Sequence, residues 1–301
     1  MVNTDRRPSR VDAAVHSPPS SIPGAIQGLR DVQTALRRHT YALAGIGVSV
    51  ESNLALVPKY LDLVFAEFGR EPPSSRSFRT YTAIATGEAV VVSIPNSQPM
   101  SFKSELRAAE YLQWHMSQTA LRRVSERFAL HGAGLVPPAP GRGATLLLGP
   151  SGSGKSTLTL ELTRRGFEFL SDEAVFLSFR DGSVTGFPRA IGLVDGADVV
   201  PEVKRYIPPN SLGVRIVRDA VSVETIILLD GFGDQPRLRE ASALDSLPRL
   251  LPQVYPSAPV ELIVGALVRL VSSCRVLELR SGSPQSAADL IADLGARRKA
   301  A

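Results

Sequence analysis

Residues 149–156 read Gly149-Pro150-Ser151-Gly152-Ser153-Gly154-Lys155-Ser156 and satisfy the pattern G-x-x-x-x-G-K-[ST] at every fixed position. Each residue type has a physical reason to be there. Glycines let the chain turn its backbone N–H groups inward around an anion, and a helix starting at the lysine adds the positive end of its dipole. Lys155 is predicted to bridge β- and γ-phosphate oxygens and Ser156 to ligate Mg²⁺. Gly149, Ser151, Gly152, Ser153, Gly154, Lys155, Ser156 and Thr157 are therefore the residues predicted to hold ATP·Mg²⁺. The flanks agree with this reading. The apolar run Ala144-Thr145-Leu146-Leu147-Leu148 leads in as a strand, and Leu158, Leu160 and Leu162 lie on a helix leading out.

A phosphate loop holds a nucleotide without deciding what is done with it, so nearby acids must separate kinase, hydrolase and switch. Two sets compete. Asp172 and Glu173 follow the strand after the loop helix, and Asp230 ends the apolar run Ile226-Ile227-Leu228-Leu229. A carboxylate at the C-terminal end of either strand would face the ligand crevice of an open α/β sheet.

These residues need elements to position them. Residues 1–24 are rich in Pro, Ser and Arg without apolar periodicity, and residues 1–38 are read as a disordered or poorly ordered arm. Residues 39–127 read as a small α/β region. They contain a strand over 41–50, a helix carrying Leu54 to Phe68 capped by Ser52 or Asn53 and ended by Gly69, a hairpin over 79–94 turning at Thr86-Gly87, and a helix over 103–127. Residues 128–301 read as the phosphate-loop domain. Its predicted strands cover 128–136, 144–148, 167–170, 174–179 and 223–229, its helices 155–165 and 285–294, and the segment 201–209 reads as loop.

Composition removes other classes of function. The chain has 301 residues and one cysteine, Cys274, so no intramolecular disulfide or cysteine-rich metal cluster can form, and a reducing, cytoplasmic setting is expected. Cys274 sits in an apolar run and is expected to be buried and inert. The longest apolar candidate, residues 263–271, contains Arg269 and falls short of a membrane span, and the first residues lack the apolar stretch of a secretory signal. The net charge of +5 comes from scattered arginines rather than a basic stripe, so no nucleic-acid partner is expected; phosphorylated ligands or an acidic partner account for the charge.

His131-Gly132, the phosphate loop, Arg165-Gly166 and Ser171-Asp172-Glu173 occur in the order and spacing of the HPr kinase/phosphorylase catalytic domain, which this chain resembles. The resemblance covers roughly residues 45–295 and is tight over 128–193; Trp114 and Phe187-Pro188-Arg189 also match. It implies an α/β P-loop kinase domain of the HPr kinase and phosphoenolpyruvate carboxykinase-like type, with a smaller N-terminal α/β segment. It further implies that Asp172 is the base for an attacking hydroxyl and that Glu173 replaces a second aspartate as metal ligand or support for the base. His131 would lie beside Asp172 and the γ-phosphate, and Arg218 would contact phosphate. The family's glycine-rich signature loop is not found between Pro201 and Leu212. The activity implied is ATP-dependent transfer to a hydroxyl, most naturally Ser or Thr of a small protein or of a ribosomally made precursor peptide, by a chain that could be a homo-oligomer. A small-molecule kinase and a nucleotide-dependent regulatory module without transfer are the alternatives. Two Gly/Pro-punctuated segments, 181–193 and 201–212, are expected to clamp an extended acceptor, with Arg189, Lys204, Arg205 and Arg215 supplying positive charge.

Overall fold

The structure is a computed structural model and describes residues 36–69, 78–123, 125–139, 141–194 and 204–297. The predicted arm lies almost wholly outside these residues; its last two, Arg37 and Arg38, open the first strand. The architecture is mixed α/β, as the sequence implies.

The N-terminal half is a five-stranded sheet in the order β1-β2-β3-β4-β5, formed by β1 (Arg37–Leu43), β2 (Ile46–Ser52), β3 (Phe78–Thr86), β4 (Ala89–Ser93) and β5 (Met100–Phe102). The single strand expected over 41–50 is two antiparallel strands. Ala44 and Gly45 take φ of 48° and 90°, the left-handed pair that reverses a chain in two residues, and nothing in the apolar run Tyr41 to Val50 except Gly45 signals it. The Thr86-Gly87 hairpin forms as expected, joining β3 to β4. Helices α1 (Leu56–Val64) and α2 (Glu105–Leu121) cover this sheet. Ser104 caps α2, its hydroxyl accepting from Arg107 N. Neither Ser52 nor Asn53 caps α1: the Ser52 hydroxyl donates to Ala83 O and the Asn53 side-chain oxygen accepts from Ala85 N, so both tie the helix entry to β3. Helix α2 ends at Leu121, short of the predicted 127.

A six-stranded sheet follows in the order β15-β17-β14-β8-β7-β9. Its members are β7 (Ala133–Val136), β8 (Ala144–Leu148), β9 (Glu168–Ser171), β14 (Val223–Phe232), β15 (Arg237–Glu240) and β17 (Arg275–Ser281). Strands β8, β14 and β17 run parallel; β8 and the Ile226–Leu229 stretch of β14 are buried, which explains their uninterrupted apolar sequences. Leu146, Leu148, Ile226 and Leu228 enter one core, while Leu147, Ile227 and Leu229 enter the other with helices α3 (Lys155–Arg164) and α6 (Pro284–Arg297). The first of these cores also takes in helices α4 (Ala243–Leu250) and α5 (Val260–Ser273), neither of which was anticipated. Cys274, at the end of α5, is partly buried, and burial pushes its thiol up to about 12.

A four-stranded sheet, β11-β10-β6-β16, packs between the helices of the N-terminal half and the six-stranded sheet; it comprises β6 (Arg127–His131), β10 (Ala174–Ser178), β11 (Val184–Gly186) and β16 (Val254–Tyr255). A two-stranded ribbon joins β12 (Ile191–Val194) to β13 (Lys204–Ile207), part of which lies in the segment expected to be loop. No helix among the described residues is long and apolar enough to cross a membrane.

Residues 128–136, expected as one strand, are split at Gly132 into β6 and β7, which belong to different sheets. A Cβ at Gly132 would lie 2.3 Å from Leu148 Cδ2 and 2.8 Å from the Leu147 carbonyl oxygen. The side chain could yield; the backbone of β8 just before the phosphate loop cannot. Gly132→Ala is therefore expected to destabilise the fold by about 1–3 kcal/mol, as overpacked cores do, read as a lowered midpoint in urea unfolding at unchanged slope.

Candidate functional site

Strand β8 delivers Gly149 at the end of the sheet, and the loop closes onto α3 through Gly152 and Gly154, whose φ of 78° and 92° suit glycine. Gly154 is the N-cap of α3 and offers no side chain to its first N–H groups, which stay available to an anion. Lys155 is buried and folded back, its Nζ donating to the carbonyls of Gly149 at 2.7 Å and Pro150 at 2.9 Å. Burial pushes its ammonium below the ordinary lysine range; the carboxylates of Asp172 and Glu173 oppose that shift and Lys204 adds to it. These groups therefore lie within one another's field.

Asp172 and Glu173 occupy the turn between β9 and β10, where the Ser171 hydroxyl accepts from the N–H groups of Glu173 and Ala174 while donating to Phe187 O at 2.8 Å. This geometry fixes the directions of the two acids and sends them to different partners.

The Ser156 hydroxyl donates to Asp172 Oδ2 at 2.9 Å, and Gly192 N donates to the same oxygen at 3.3 Å. Asp172 is only 4% exposed, and its Oδ1 is buried without a hydrogen-bond partner. Burial raises its carboxyl above the usual range, with the Ser156 hydrogen bond and Arg189 pulling the other way. An unpartnered carboxylate oxygen beside a serine hydroxyl is chemically suited to a hard cation such as Mg²⁺. The Ser153 hydroxyl, also buried and unpartnered, lines the loop interior.

Glu173 accepts from Arg189 Nη2 at 2.6 Å and from the Tyr255 hydroxyl at 3.3 Å, and its backbone oxygen faces His131 Nδ1 at 3.0 Å. Burial alone would raise the Glu173 carboxyl, but Arg189, His131 and Lys204 outweigh it and hold the group below the ordinary range. A carbonyl oxygen can only accept, so Nδ1 of His131 carries the proton and Nε2 of the neutral ring is an acceptor. Burial lowers the imidazole pKa and favours this neutral form.

Lys155, Ser156, Asp172, Glu173 and His131 are thus brought together as a site, whereas three other candidates are engaged differently. Asp230 is half exposed beyond Leu229, 3.3 Å from Arg249 Nη2. Arg218 donates to Glu67 O at 2.9 Å, tying the segment before β14 to the segment after α1. Arg189, expected to offer charge to an acceptor, is buried against Glu173, with its guanidinium 5.7 Å from the Tyr206 ring centroid. Of the other cations expected to greet an acceptor, Arg215 pairs with Glu168 at 2.7 Å, and Lys204 stands on the ribbon next to Gly192. Much of the segment 201–212 is described, but residues 201–203 lie outside the described residues. Tyr255 was missed from sequence, because its two-residue strand carries no motif and only pairing with β6 brings it to Glu173.

No family model matches the chain. The chain is similar to HPr kinase/phosphorylase of Streptococcus thermophilus, with 29% identity over 126 residues, 40% of this chain and 37% of the relative, and two further strains give the same figures. It therefore spans well under half the length of these relatives. Among solved structures, the Hpr(Ser) kinase/phosphatase from Coxiella burnetii matches with 13% identity and a TM-score of 0.32, covering 57% of this chain and 90% of that one.

Proposed function

We propose that this protein is an ATP-dependent phosphotransferase that passes the γ-phosphoryl group of ATP to a hydroxyl, most naturally a serine or threonine of a small protein or peptide. The observation that carries the reading is the hydrogen bond from Ser156, the cation-binding position of the phosphate loop, to the buried Asp172. In this reading that carboxylate, of raised pKa, stands beside the terminal phosphate of a loop-bound nucleotide. The sequence similarity to HPr kinase/phosphorylase supports the same class of chemistry.

In this reading Lys155 leaves the Gly149 and Pro150 carbonyls for phosphate oxygens, and the N–H groups at the start of α3 hold the chain of phosphates. Ser156 with Asp172 or Glu173 would hold Mg²⁺, which would supply neutralisation of charge on the transferred group. Asp172 takes the proton of the attacking hydroxyl, a task for which a raised carboxyl pKa is suited. Arg189 keeps Glu173 ionised, and His131, donating from Nδ1 to the Glu173 backbone oxygen, helps hold the turn in place.

Two measurements test this. Calorimetric titration should show Mg²⁺-dependent ATP binding by the wild type, weakened at least about tenfold in Lys155→Ala because a charge bridging two phosphates is lost. Incubation with γ-labelled ATP, the HPr protein and a panel of serine and threonine peptides should place label on a hydroxyl side chain. Label on metabolites alone would make the protein a small-molecule kinase, and phosphate released only to water would make it a nucleotide-driven switch.

A further inference from the structure

We propose that Phe232 is the platform on which the base of the bound nucleotide stacks, an inference that rests on the nucleotide reading of the phosphate loop and extends it. The order of strands in the large sheet sets the direction. Strand β8, which delivers the loop, has β7 and β9 on one flank and β14 on the other. The acids follow β9, and the Ser156–Asp172 bond marks that flank as the reacting end of the phosphate chain. A triphosphate laid across the start of α3 with its γ end there carries its ribose and base towards the β14 flank.

On that flank β14 continues past Asp230 to Phe232, a residue 60% exposed. The ring edge stands 3.7 Å from the position a Cβ would take on Gly154, so it borders the loop itself. The backbone beneath it is held firmly. Past a bulge after Leu229, Phe232 pairs with Ser281 of β17, its carbonyl accepts from Arg280 Nε at 3.0 Å, and Gly233 N donates to Ser281 O at 2.7 Å. An aromatic face presented to water on a fixed strand, next to a site for phosphates, matches a planar heterocycle attached to those phosphates. Arg280, whose side chain lies against Gly233, adds a cation beside it. The class of ligand is a nucleoside triphosphate, and inorganic polyphosphate would gain nothing from the ring.

The test titrates the full chain with ATP and, separately, with inorganic tripolyphosphate, both with Mg²⁺, using the wild type, Phe232→Ala and Phe232→Tyr. Phe232→Ala should weaken ATP about tenfold and leave tripolyphosphate within about twofold, while Phe232→Tyr should restore ATP affinity. The side chain is exposed, so the melting temperature should not change. No loss of ATP affinity, or equal losses for both ligands, would overturn the platform and leave the phosphate-loop reading standing. Failure of the wild type to bind either ligand would remove the loop reading and the platform with it.

Discussion

Asp172→Asn is expected to lower phosphoryl transfer by about 10²–10⁴, the usual cost of losing a general base, while ATP affinity stays near that of the wild type. Asn preserves an acceptor for the Ser156 hydroxyl and the Gly192 N–H, so the change removes basicity with little disturbance of shape. Asp230→Asn is the control, because Asp230 is half exposed and its contact is with Arg249. It should change neither turnover nor affinity appreciably. Single-turnover transfer from γ-labelled ATP, combined with calorimetry, separates the two acids; a larger loss of turnover from Asp230→Asn, with both variants folded, would reverse their assignment. Stability supplies an independent signature. The folded-state pKa of Asp172 is raised by burial, so its ionisation costs stability above the ordinary carboxylate range, and Asp172→Asn should unfold no earlier than the wild type at neutral pH.

Arg189→Met should behave in the opposite manner, destabilising the protein by about 3–5 kcal/mol at neutral pH, the cost of removing one partner of a buried ion pair. The Arg189 side chain is 6% exposed and that of Glu173 22%, so the stranded carboxylate keeps little water. The dependence on pH identifies the cause. In the wild type, without divalent cation, Glu173 is held below its ordinary range, so its contribution is present above the unfolded pKa and lost as pH falls through the folded one. In the variant the largest of the attractions opposing burial is gone, so burial weighs more heavily on the same carboxylate and protonation relieves it. The gap in unfolding free energy between variant and wild type should therefore narrow as pH falls below the carboxylate range. A gap that stays constant with pH would mean that Arg189 acts through packing on Tyr206 instead of through charge.

Local chemistry was legible from the sequence alone. The phosphate loop could be read because left-handed glycines, a lysine and a serine at fixed spacing are needed by the backbone itself, and because the flanking strand and helix each carry their own periodicity. The apolar runs of β8 and β14 were equally plain, since a parallel strand covered on both faces has no polar alternation to blur it. What sequence could not determine were long-range pairings. Gly132 reads as one small residue within an apolar strand, yet it is where the chain leaves one sheet for another, under a contact with β8 from elsewhere in the sequence. Asp172 and Asp230 both lie at the ends of strands, and only the fold sets one against Ser156 and the other against Arg249. Arg189 looked like a cation for a partner because nothing local opposes its charge. Only the turn after β9 brings Glu173 beneath it, and only the pairing of β16 with β6 brings Tyr255 to the same carboxylate. Periodicity and turn chemistry act over a few residues, whereas burial and charge pairing are settled by which distant segments meet.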